Sequence, residues 1–423
     1  MIMDKRSFIK GLSLLGVGAF TPSFSLDAWL QRYDQIPAGV LAGDEDFWGG
    51  IRKGYKLKSE YINLENGYYC FLPEEILEKF IAHVREVNYQ GSYYMRTVQT
   101  ENKKKAAAKL ASLIGCSEDE LIITRNTTES LDMVIGGLDW KPGDEAVMAE
   151  QDYGSMLNMF KQVAQRHGVV NKMVNVPNHP ENDEEIVRIY ESAITDKTRL
   201  LMVCHMVNIT GQILPIRKIA DMAHRRGVLV MVDGAHAVGH FQFKIPDLNA
   251  DFYGSSLHKW LSVPLGAGIL YVKKDHIGKV WPLLSAGERK PDDIGRLNQT
   301  GTHPVHTDMT VSDAIDYYFK IGAERKEARL RYLQQYWTSK VRQVPNIMVN
   351  TPADPARSCG IANVGLKNIK PGELADRLFK KYNIYTVAID GAGVHGCRIT
   401  PNIYTTPAEL DQFVAALREL AAG

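Results

Sequence analysis

Short apolar segments alternate with amphipathic ones through the middle of the chain. Helical repeats cover residues 129–135 and 215–226, and each is followed by glycine, at Gly136 and Gly227. Between and around these repeats, six apolar segments have the length of buried strands. They are residues 121–124, 145–149, 199–206, 228–232, 252–256 and 268–272. This alternation predicts an α/β fold with a mostly parallel sheet that helices cover on both faces.

A second α/β pattern occupies the carboxyl-terminal part of the chain. Strands are predicted at residues 360–365, 384–388 and 397–400, and helices at residues 371–382 and 407–421. The pattern over 312–340 predicts one long helix that joins the two parts. We therefore expect a large domain over 76–305 and a small carboxyl-terminal domain over 306–423. Residues 26–75 are expected to pack against the small domain.

The amino terminus has the charge and hydropathy pattern of an export signal over residues 1–25. A charged stretch at 3–10 precedes the apolar run 11–20, which is shorter than the ~20 residues that span a bilayer. The pair Lys5-Arg6 resembles a twin-arginine signal, with lysine in the first arginine position. We expect export to the periplasm with cleavage after Ser25, or a cytoplasmic protein if the signal is not functional. The alternative is an amphipathic amino-terminal helix.

The composition excludes several classes of protein. The 423 residues include 50 basic and 49 acidic ones, without a basic block, so no nucleic-acid partner is expected. No further segment is apolar enough to predict a membrane span. The five cysteines are widely spaced and form no C-x-x-C pair, so we predict buried thiols and no zinc or redox site.

Polar residues that could take part in catalysis follow the predicted strands. In α/β sheets, ligands bind at the carboxyl ends of the strands. Asp233 comes directly after strand 228–232, and Lys259 lies on the loop after strand 252–256. Residues 126–128, Asn-Thr-Thr, form a strand-to-helix turn that suits a phosphate. A lysine that forms an imine and a carboxylate that protonates a pyridine nitrogen are what pyridoxal 5′-phosphate (PLP) needs. On its own, Asp233 could be a turn aspartate and Lys259 a solvated lysine. The prediction of PLP binding therefore rests on the occurrence of both residues.

Two motifs in this region resemble the class V aminotransferase family of PLP enzymes. They are D-G-A-H-A-V-G over residues 233–239 and S-L-H-K-W-L-S-V-P-L-G-A-G over residues 256–268. Their wording is most similar to the isopenicillin N epimerase-like branch, and the resemblance covers roughly residues 60–420. It implies the PLP-dependent transferase fold type I, with a seven-stranded sheet in the large domain. It also implies a homodimer with a shared active site.

The resemblance implies a role for each matching residue around the cofactor. Lys259 would hold PLP as a Schiff base and act as the main acid and base, while Asp233 would pair with the pyridine nitrogen. Tyr153 would stack on the ring, and His236 and Asn208 would lie near its phenolic oxygen. The expected phosphate ligands are Thr127, Thr128, Ser256 and His258, with Thr302 reaching the phosphate of the other subunit.

The substrate is expected at the open side of this site. By the same resemblance, Arg398 would grip a substrate carboxylate through a bidentate fork. Asn66 and Arg96 are predicted at the entrance, where Arg96 forms either a second substrate contact or an exposed salt bridge. His395, on a glycine-rich loop, is predicted within reach of the substrate.

The reaction stays open at this level, because it depends on where a proton returns after it leaves Cα. We expect an epimerase or aminotransferase that acts on an amino acid or an amino-acid-bearing metabolite. A lyase or cysteine desulfurase is an alternative, although Cys359 and Cys397 lie in predicted strands and not on a mobile loop. A non-catalytic binding or maturation protein on the same fold is the other alternative. A nucleotide-binding Rossmann protein is disfavoured because no G-x-G-x-x-G follows an early strand.

Overall fold

The computed structural model describes residues 25–285 and 287–423, and it divides into two compact units, Met1–Gln35 and Ile36–Gly423. The described part of the first unit contains the helix Leu26–Gln31, which Ser25 caps by accepting from the Ala28 N–H at 3.3 Å. Apart from Ser25, the predicted export signal lies outside the described residues. Within 25–285 and 287–423, no helix is both long and apolar enough to cross a membrane.

Strands and helices alternate along the second unit. The strands are β1 Ile62–Asn63, β2 Leu121–Thr124, β3 Glu145–Ala149, β4 Val170–Val174, β5 Thr198–Cys204, β6 Leu229–Asp233, β7 Phe252–Ser256, β8 Gly268–Val272, β9 Ile347–Val349, β10 Ala362–Leu366, β11 Ile384–Tyr385, β12 Val387–Gly391 and β13 Val394–Ile399. The α-helices are Ala38–Leu41, Glu45–Arg52, Glu74–Gln90, Gln99–Ile114, Thr127–Gly137, Gly154–His167, Asp183–Ala193, Ile216–Arg225, Ile245–Leu248, Val305–Ile321, Ala323–Val341, Pro371–Tyr382 and Pro407–Ala422.

Seven strands form the large sheet in the order β2-β8-β7-β6-β5-β3-β4. All neighbours are parallel except β8, which runs antiparallel to both β2 and β7. The mostly parallel, seven-stranded sheet predicted above is confirmed. Its register sets Cys204 and Asp233 side by side at the carboxyl ends of β5 and β6, with Gly254, in the middle of β7, next to Asp233. These strand ends form one wall of the site described below.

The edge strand β4 is missing from the sequence prediction. Its side chains are mostly exposed or half-buried, whereas those of β2, at the opposite edge, are all buried. The strand therefore lacks the apolar run that marks the interior strands. The interior strands bury Leu200, Met231 and Phe252, together with helix residues such as Phe160, in one hydrophobic core.

A smaller antiparallel sheet, in the order β12-β13-β10-β9, forms the carboxyl-terminal part with its own core around Trp337 and Phe413. The single strand predicted at 384–388 is wrong, because the chain breaks at Thr386 into two strands. The first, β11, pairs in parallel with β1, and the second, β12, pairs with β13. Residues near the amino-terminal end of this unit thus belong to a sheet with the carboxyl-terminal part.

The long helix predicted at 312–340 is also wrong. Two helices, Val305–Ile321 and Ala323–Val341, meet at Gly322, where φ is +98°. A side chain would be strained at this backbone angle, so the glycine permits the turn. The first helix packs on Glu74–Gln90 and Gln99–Ile114, and the second packs on Pro407–Ala422. Gly322 therefore lies where the packing partners change, while the domain boundaries given above stay predictions.

Candidate active site

A cavity of about 400 Å³ opens at the carboxyl ends of β5, β6 and β7. Its volume lies in the range of small-molecule and cofactor sites. It brings together most of the residues that the sequence predicts for the site. They are Thr127, Thr128, Tyr153, Asn208, Asp233, His236, Ser256, His258, Lys259 and Arg398.

Lys259 lies at the centre of the cavity, 3.1 Å from His236 by the distance between Nζ and Nε2. The Trp260 indole N–H donates to the other ring nitrogen of His236, Nδ1, at 3.2 Å. An indole nitrogen only donates, so Nδ1 accepts and the neutral ring carries its proton on Nε2. The hydrogen bond between Nε2 and Lys259 therefore favours the uncharged amine. Burial, followed by the charge of Lys259, holds the pKa of His236 well below its usual value.

The charged neighbours of Lys259 shift its pKa in opposite directions. Burial lowers its pKa to about 8, with Asp233 opposing this and Arg398 adding to it. Burial also raises the pKa of Asp233, although the Ala235 N–H, at 2.9 Å from Oδ1, and the nearby lysine partly offset this. A lysine with a lowered pKa is a stronger nucleophile at neutral pH. Asp233, at the end of β6, places a buried carboxylate near Lys259.

The loop that carries Lys259 is held from the side opposite the cavity. Trp260 is fully buried and stacks on His240, with ring centroids 3.7 Å apart. Lys326, on the helix Ala323–Val341, donates a hydrogen bond to the Trp260 carbonyl. Burial lowers the pKa of Lys326 to about 8. This pairing fixes the backbone next to Lys259.

A set of donors at the other end of the cavity suits an anion. The helix Thr127–Gly137 begins here with Asn126 as its N-cap, and the positive end of its dipole lies at the cavity wall that Asn126, Thr127 and Thr128 form. The Ser256 hydroxyl accepts from the Thr127 N–H at 3.0 Å and lies 2.7 Å from the Thr127 hydroxyl. His258 Nδ1 is buried and has no hydrogen-bond partner among the described residues. A phosphate group fits this set because it offers several acceptor oxygens.

Tyr153 begins the helix Gly154–His167 and is 46% exposed at the rim of the cavity. The preceding Asp152 is buried, and its carboxylate accepts from the Ala149 N–H at 2.8 Å and from the Cys204 thiol at 3.1 Å. Burial raises the pKa of Asp152 to about 7. These contacts tie the turn before Tyr153 to the end of β5.

Arg398, on β13, lines the cavity, but its guanidinium already has a carboxylate partner. Glu65 accepts from Nη2 at 2.6 Å and from Nε at 3.2 Å. The sequence prediction did not include Glu65. Glu65 lies directly before Asn66, but its residue type and position alone do not distinguish it from a solvated carboxylate.

Four predicted residues do not line the cavity. Asn66 is buried and hydrogen-bonds to Thr400, and Arg96 is exposed in the π-helix Tyr94–Val98. His395 is exposed on β13 and pairs with Asp390 at 2.6 Å. Thr302 is exposed on the loop before Val305–Ile321.

Besides the predicted residues and Asn126, nine more residues line the cavity. Gly67 follows Asn66, and Ala235, Leu265 and Gly266 belong to the two motifs that carry the resemblance. No role was predicted for the others: Tyr68, Arg125, Met156, Cys204 and Met206.

Each of the five cysteines has its pKa raised by burial. The values are about 12 for Cys70, Cys116 and Cys359 and about 11 for Cys397, and the pKa of Cys204 lies well above its usual value. Of these, Cys204 lines the cavity. Thiolate is the reactive form of cysteine, so these environments suppress nucleophilic chemistry at sulfur.

Both the sequence and the fold of this chain match those of known proteins. A model of the class-V aminotransferase family matches residues 72–413. Isopenicillin N epimerase of Amycolatopsis lactamdurans is 26% identical over 88% of this chain and 98% of its own. Cysteine desulfurase of Haloferax volcanii is 28% identical over 85% of this chain and 90% of its own.

Solved structures share the fold. Apo cysteine desulfurase from Thermococcus onnurineus NA1 has a TM-score of 0.78 at 21% identity, covering 89% of this chain and 98% of its own. A C-DES variant with glycine covalently linked to its PLP cofactor has a TM-score of 0.77 at 20% identity, covering 87% and 99%. The predicted fold class and the predicted cofactor, PLP, are confirmed.

Proposed function

Because this chain belongs to the class V aminotransferase family and is a PLP enzyme, we propose that it acts at Cα of a substrate that carries an α-amino group. The reaction is of epimerase or aminotransferase type, on an amino acid or an amino-acid-bearing metabolite. The observation that carries the proposal is the meeting of Lys259, Asp233 and the Thr127–Ser256 pair in one cavity. Bound PLP supplies an electron sink that stabilises negative charge at Cα.

Lys259 is proposed to bind the cofactor and to move the proton at Cα. Its lowered pKa supports both roles, since the neutral amine is the form that attacks an aldehyde and accepts a proton. Asp233 is proposed to keep the pyridine nitrogen protonated, and its buried carboxylate on the cavity wall supports this. His236 and Asn208 are proposed near the phenolic oxygen.

The phosphate of PLP is proposed to bind at the start of the helix Thr127–Gly137. Thr127, Thr128, Ser256 and the unsatisfied Nδ1 of His258 support this assignment. Tyr153 is proposed to cover one face of the ring. Thr302 is proposed to reach the phosphate of a partner subunit, so the working enzyme is a homodimer.

A test of the shared site mixes two inactive variants, Lys259→Ala and Thr302→Asp. If the sites are shared, mixed dimers regain about a quarter to a half of the wild-type activity, because one of their two sites has both functional residues. Recovery that stays at zero after verified subunit exchange contradicts the shared site. The size of the wild-type particle by light scattering checks the dimer itself.

The second candidate is a lyase, including a cysteine desulfurase. The relatives named cysteine desulfurases and the fold shared with C-DES favour it. Against desulfuration through a protein persulfide, Cys70, Cys204, Cys359 and Cys397 are buried and Cys116 is half-buried. The protonated thiol is the form that burial favours. Incubation with amino acids separates the candidates. Loss of a Cα deuteron with inversion indicates epimerisation, keto-acid formation indicates transamination, and release of sulfide indicates the lyase.

The cofactor proposal is tested by absorption spectroscopy of wild type beside Lys259→Ala. Bound through the lysine, PLP absorbs near ~400 nm because of its conjugated system. Borohydride should fix the cofactor covalently to the wild type and not to the variant. A wild type that stays colourless with added PLP contradicts the proposed function.

Export through the predicted signal is likewise a proposal and rests on the Lys5-Arg6 pattern. Expression of the full chain with a Lys5→Gln/Arg6→Gln variant as control tests it. Export predicts a periplasmic wild type that begins at Leu26 by mass spectrometry and a retained variant. An uncleaved cytoplasmic wild type contradicts it.

A further inference from the structure

The guanidinium of Arg398 already has a bidentate carboxylate partner within the chain. Glu65 accepts from Nε at 3.2 Å and from Nη2 at 2.6 Å, and the carbonyl of Asn208 accepts from Nη1 at 3.4 Å. Three of the five N–H donors therefore have an oxygen partner, and Glu65 occupies the Nε–Nη2 edge. A guanidinium without such a partner would offer this edge, with its full positive charge, to a substrate carboxylate.

Neighbouring backbone fixes this pair in place. A Cβ atom on Gly67 would lie 3.0 Å from Arg398 Cζ, so the guanidinium packs closely on the Gly67 backbone. The Asn66 N–H donates to the Thr400 hydroxyl at 2.6 Å, and the Asn66 side chain donates to the Thr400 carbonyl at 2.7 Å. The Glu65 carboxylate also accepts from the Tyr68 N–H at 2.9 Å. The Glu65 carboxylate therefore cannot turn away from Arg398 without also losing the Tyr68 N–H.

The pair is buried, and it cancels charge at the substrate end of the cavity. The side chain of Arg398 is 10% exposed and that of Glu65 is 6% exposed. Arg398 lines the cavity while Glu65 lies behind it. An incoming carboxylate would meet the guanidinium with a second carboxylate on the far side. Since charges interact strongly where water is excluded, repulsion from Glu65 offsets much of the attraction to Arg398.

We propose that Glu65 is a specificity-determining residue that turns this end of the site away from free α-carboxylates. The favoured substrates carry the reacting amine next to an uncharged acceptor, such as the carbonyl of an amide, an ester or a peptide bond. A neutral carbonyl accepts a hydrogen bond from Arg398 without opposing Glu65. This inference rests on the proposed function and deepens it by naming the chemical class of the substrate.

The test measures binding to the PLP-loaded protein by the change in its cofactor absorbance band. The probes are matched pairs of free L-amino acids and their carboxamides, for example alanine with alaninamide and phenylalanine with phenylalaninamide, extended to the commercially available series. Wild type should bind each carboxamide at least as tightly as the free acid. Glu65→Gln should improve binding of the free acids by at least about tenfold relative to their carboxamides.

Two further variants distinguish a change in substrate specificity from a general disturbance of the structure. Glu65→Gln/Arg398→Gln removes both charges and should lose the gain for free acids, since that gain requires the guanidinium. Glu45→Gln alters a similar pair, in which Arg329 bonds to Glu45 at 2.6 Å away from the cavity, and should leave the preference unchanged. Thermal unfolding midpoints of all variants confirm that each is folded.

Each outcome decides the question. A wild type that prefers free acids tenfold or more over their carboxamides overturns the proposal, and so does a folded Glu65→Gln protein that binds no free acid better than wild type does. If Glu65→Gln does not fold, the preference of the wild type alone decides. A protein without a lysine-bound cofactor band fails the proposed function instead, so the two failures are distinct.

Discussion

The reactivity of Lys259 toward PLP gives a prediction that can be worked out from the structure. Burial and the nearby Arg398 lower the pKa of the lysine to about 8. At pH 8 about half of the amine is then neutral, against about 0.3% for an unperturbed lysine with a pKa near 10.5. Only the neutral amine attacks the aldehyde. The cofactor-free protein should therefore take up PLP about 150-fold faster at pH 8 than an exposed lysine would at equal intrinsic reactivity.

The assay follows the rise of the bound-cofactor band after PLP is mixed with cofactor-free protein between pH 6 and 10. The rate should increase with pH and level off above about 8, since the neutral fraction is then complete. Nα-acetyl-lysine serves as the control, and its rate should keep rising to pH 10. The directions of two variants follow from the charges: Asp233→Asn lowers the midpoint, because the carboxylate supports the ammonium, and Arg398→Gln raises it.

A wild-type rate that rises tenfold per pH unit up to pH 10 would refute this reasoning. It would mean that water reaches the lysine freely in the cofactor-free protein. Two variants that move the midpoint in the same direction would also refute it, because the assigned charges have opposite signs.

Three other substitutions test separate parts of the site. Because the pKa of Lys326 is lowered in the folded state, the penalty for burying its charge is present below pH 8 and fades toward pH 10.5, so the stability of Lys326→Met relative to wild type should fall over that window in denaturant unfolding. The lost hydrogen bond to the Trp260 carbonyl adds a cost that does not vary with pH, so a difference independent of pH contradicts the burial argument. Ser256→Ala should weaken PLP binding about tenfold in a spectroscopic titration, whereas Ser192→Ala, at an exposed helix position, should not; equal affinities would remove Ser256 from the phosphate site. Cys204→Ser should keep turnover within tenfold of wild type, while loss of more than a hundredfold would favour chemistry at sulfur.

Strands with buried side chains on both faces were predictable from the sequence. The segments that became β2, β3, β7 and β8 have the bounds that the apolar runs predict, and β2 is fully buried although it is an edge strand. The other edge strand, β4, was not predictable, because its side chains are mostly exposed or half-buried and it has no apolar run. The break at Gly322 was missed because the helical repeat continues across it, and only the tertiary packing of the two halves requires the turn.

The site residues also divide into those that local sequence pattern could predict and those that it could not. Lys259, Asp233 and Thr127 follow strands and could be placed from local pattern, since the sheet brings all strand ends to one edge. Glu65 could not, because its role depends on a partner far away in the sequence. His395 and Arg96 were singled out by residue type, and the fold turns both toward solvent.

The pairing of Glu65 with Arg398 has a consequence for how the enzyme is made. The two residues are 333 positions apart. At about 5–20 residues per second, the ribosome needs on the order of 15 to 70 seconds to synthesise the intervening chain. Lys259, Asp233 and the proposed phosphate-binding turn emerge well before β13 does. A nascent chain can therefore form the proposed cofactor end of the cavity while the end that holds Glu65 and Arg398 is still incomplete. The proposed selectivity would then be the last property that the enzyme acquires.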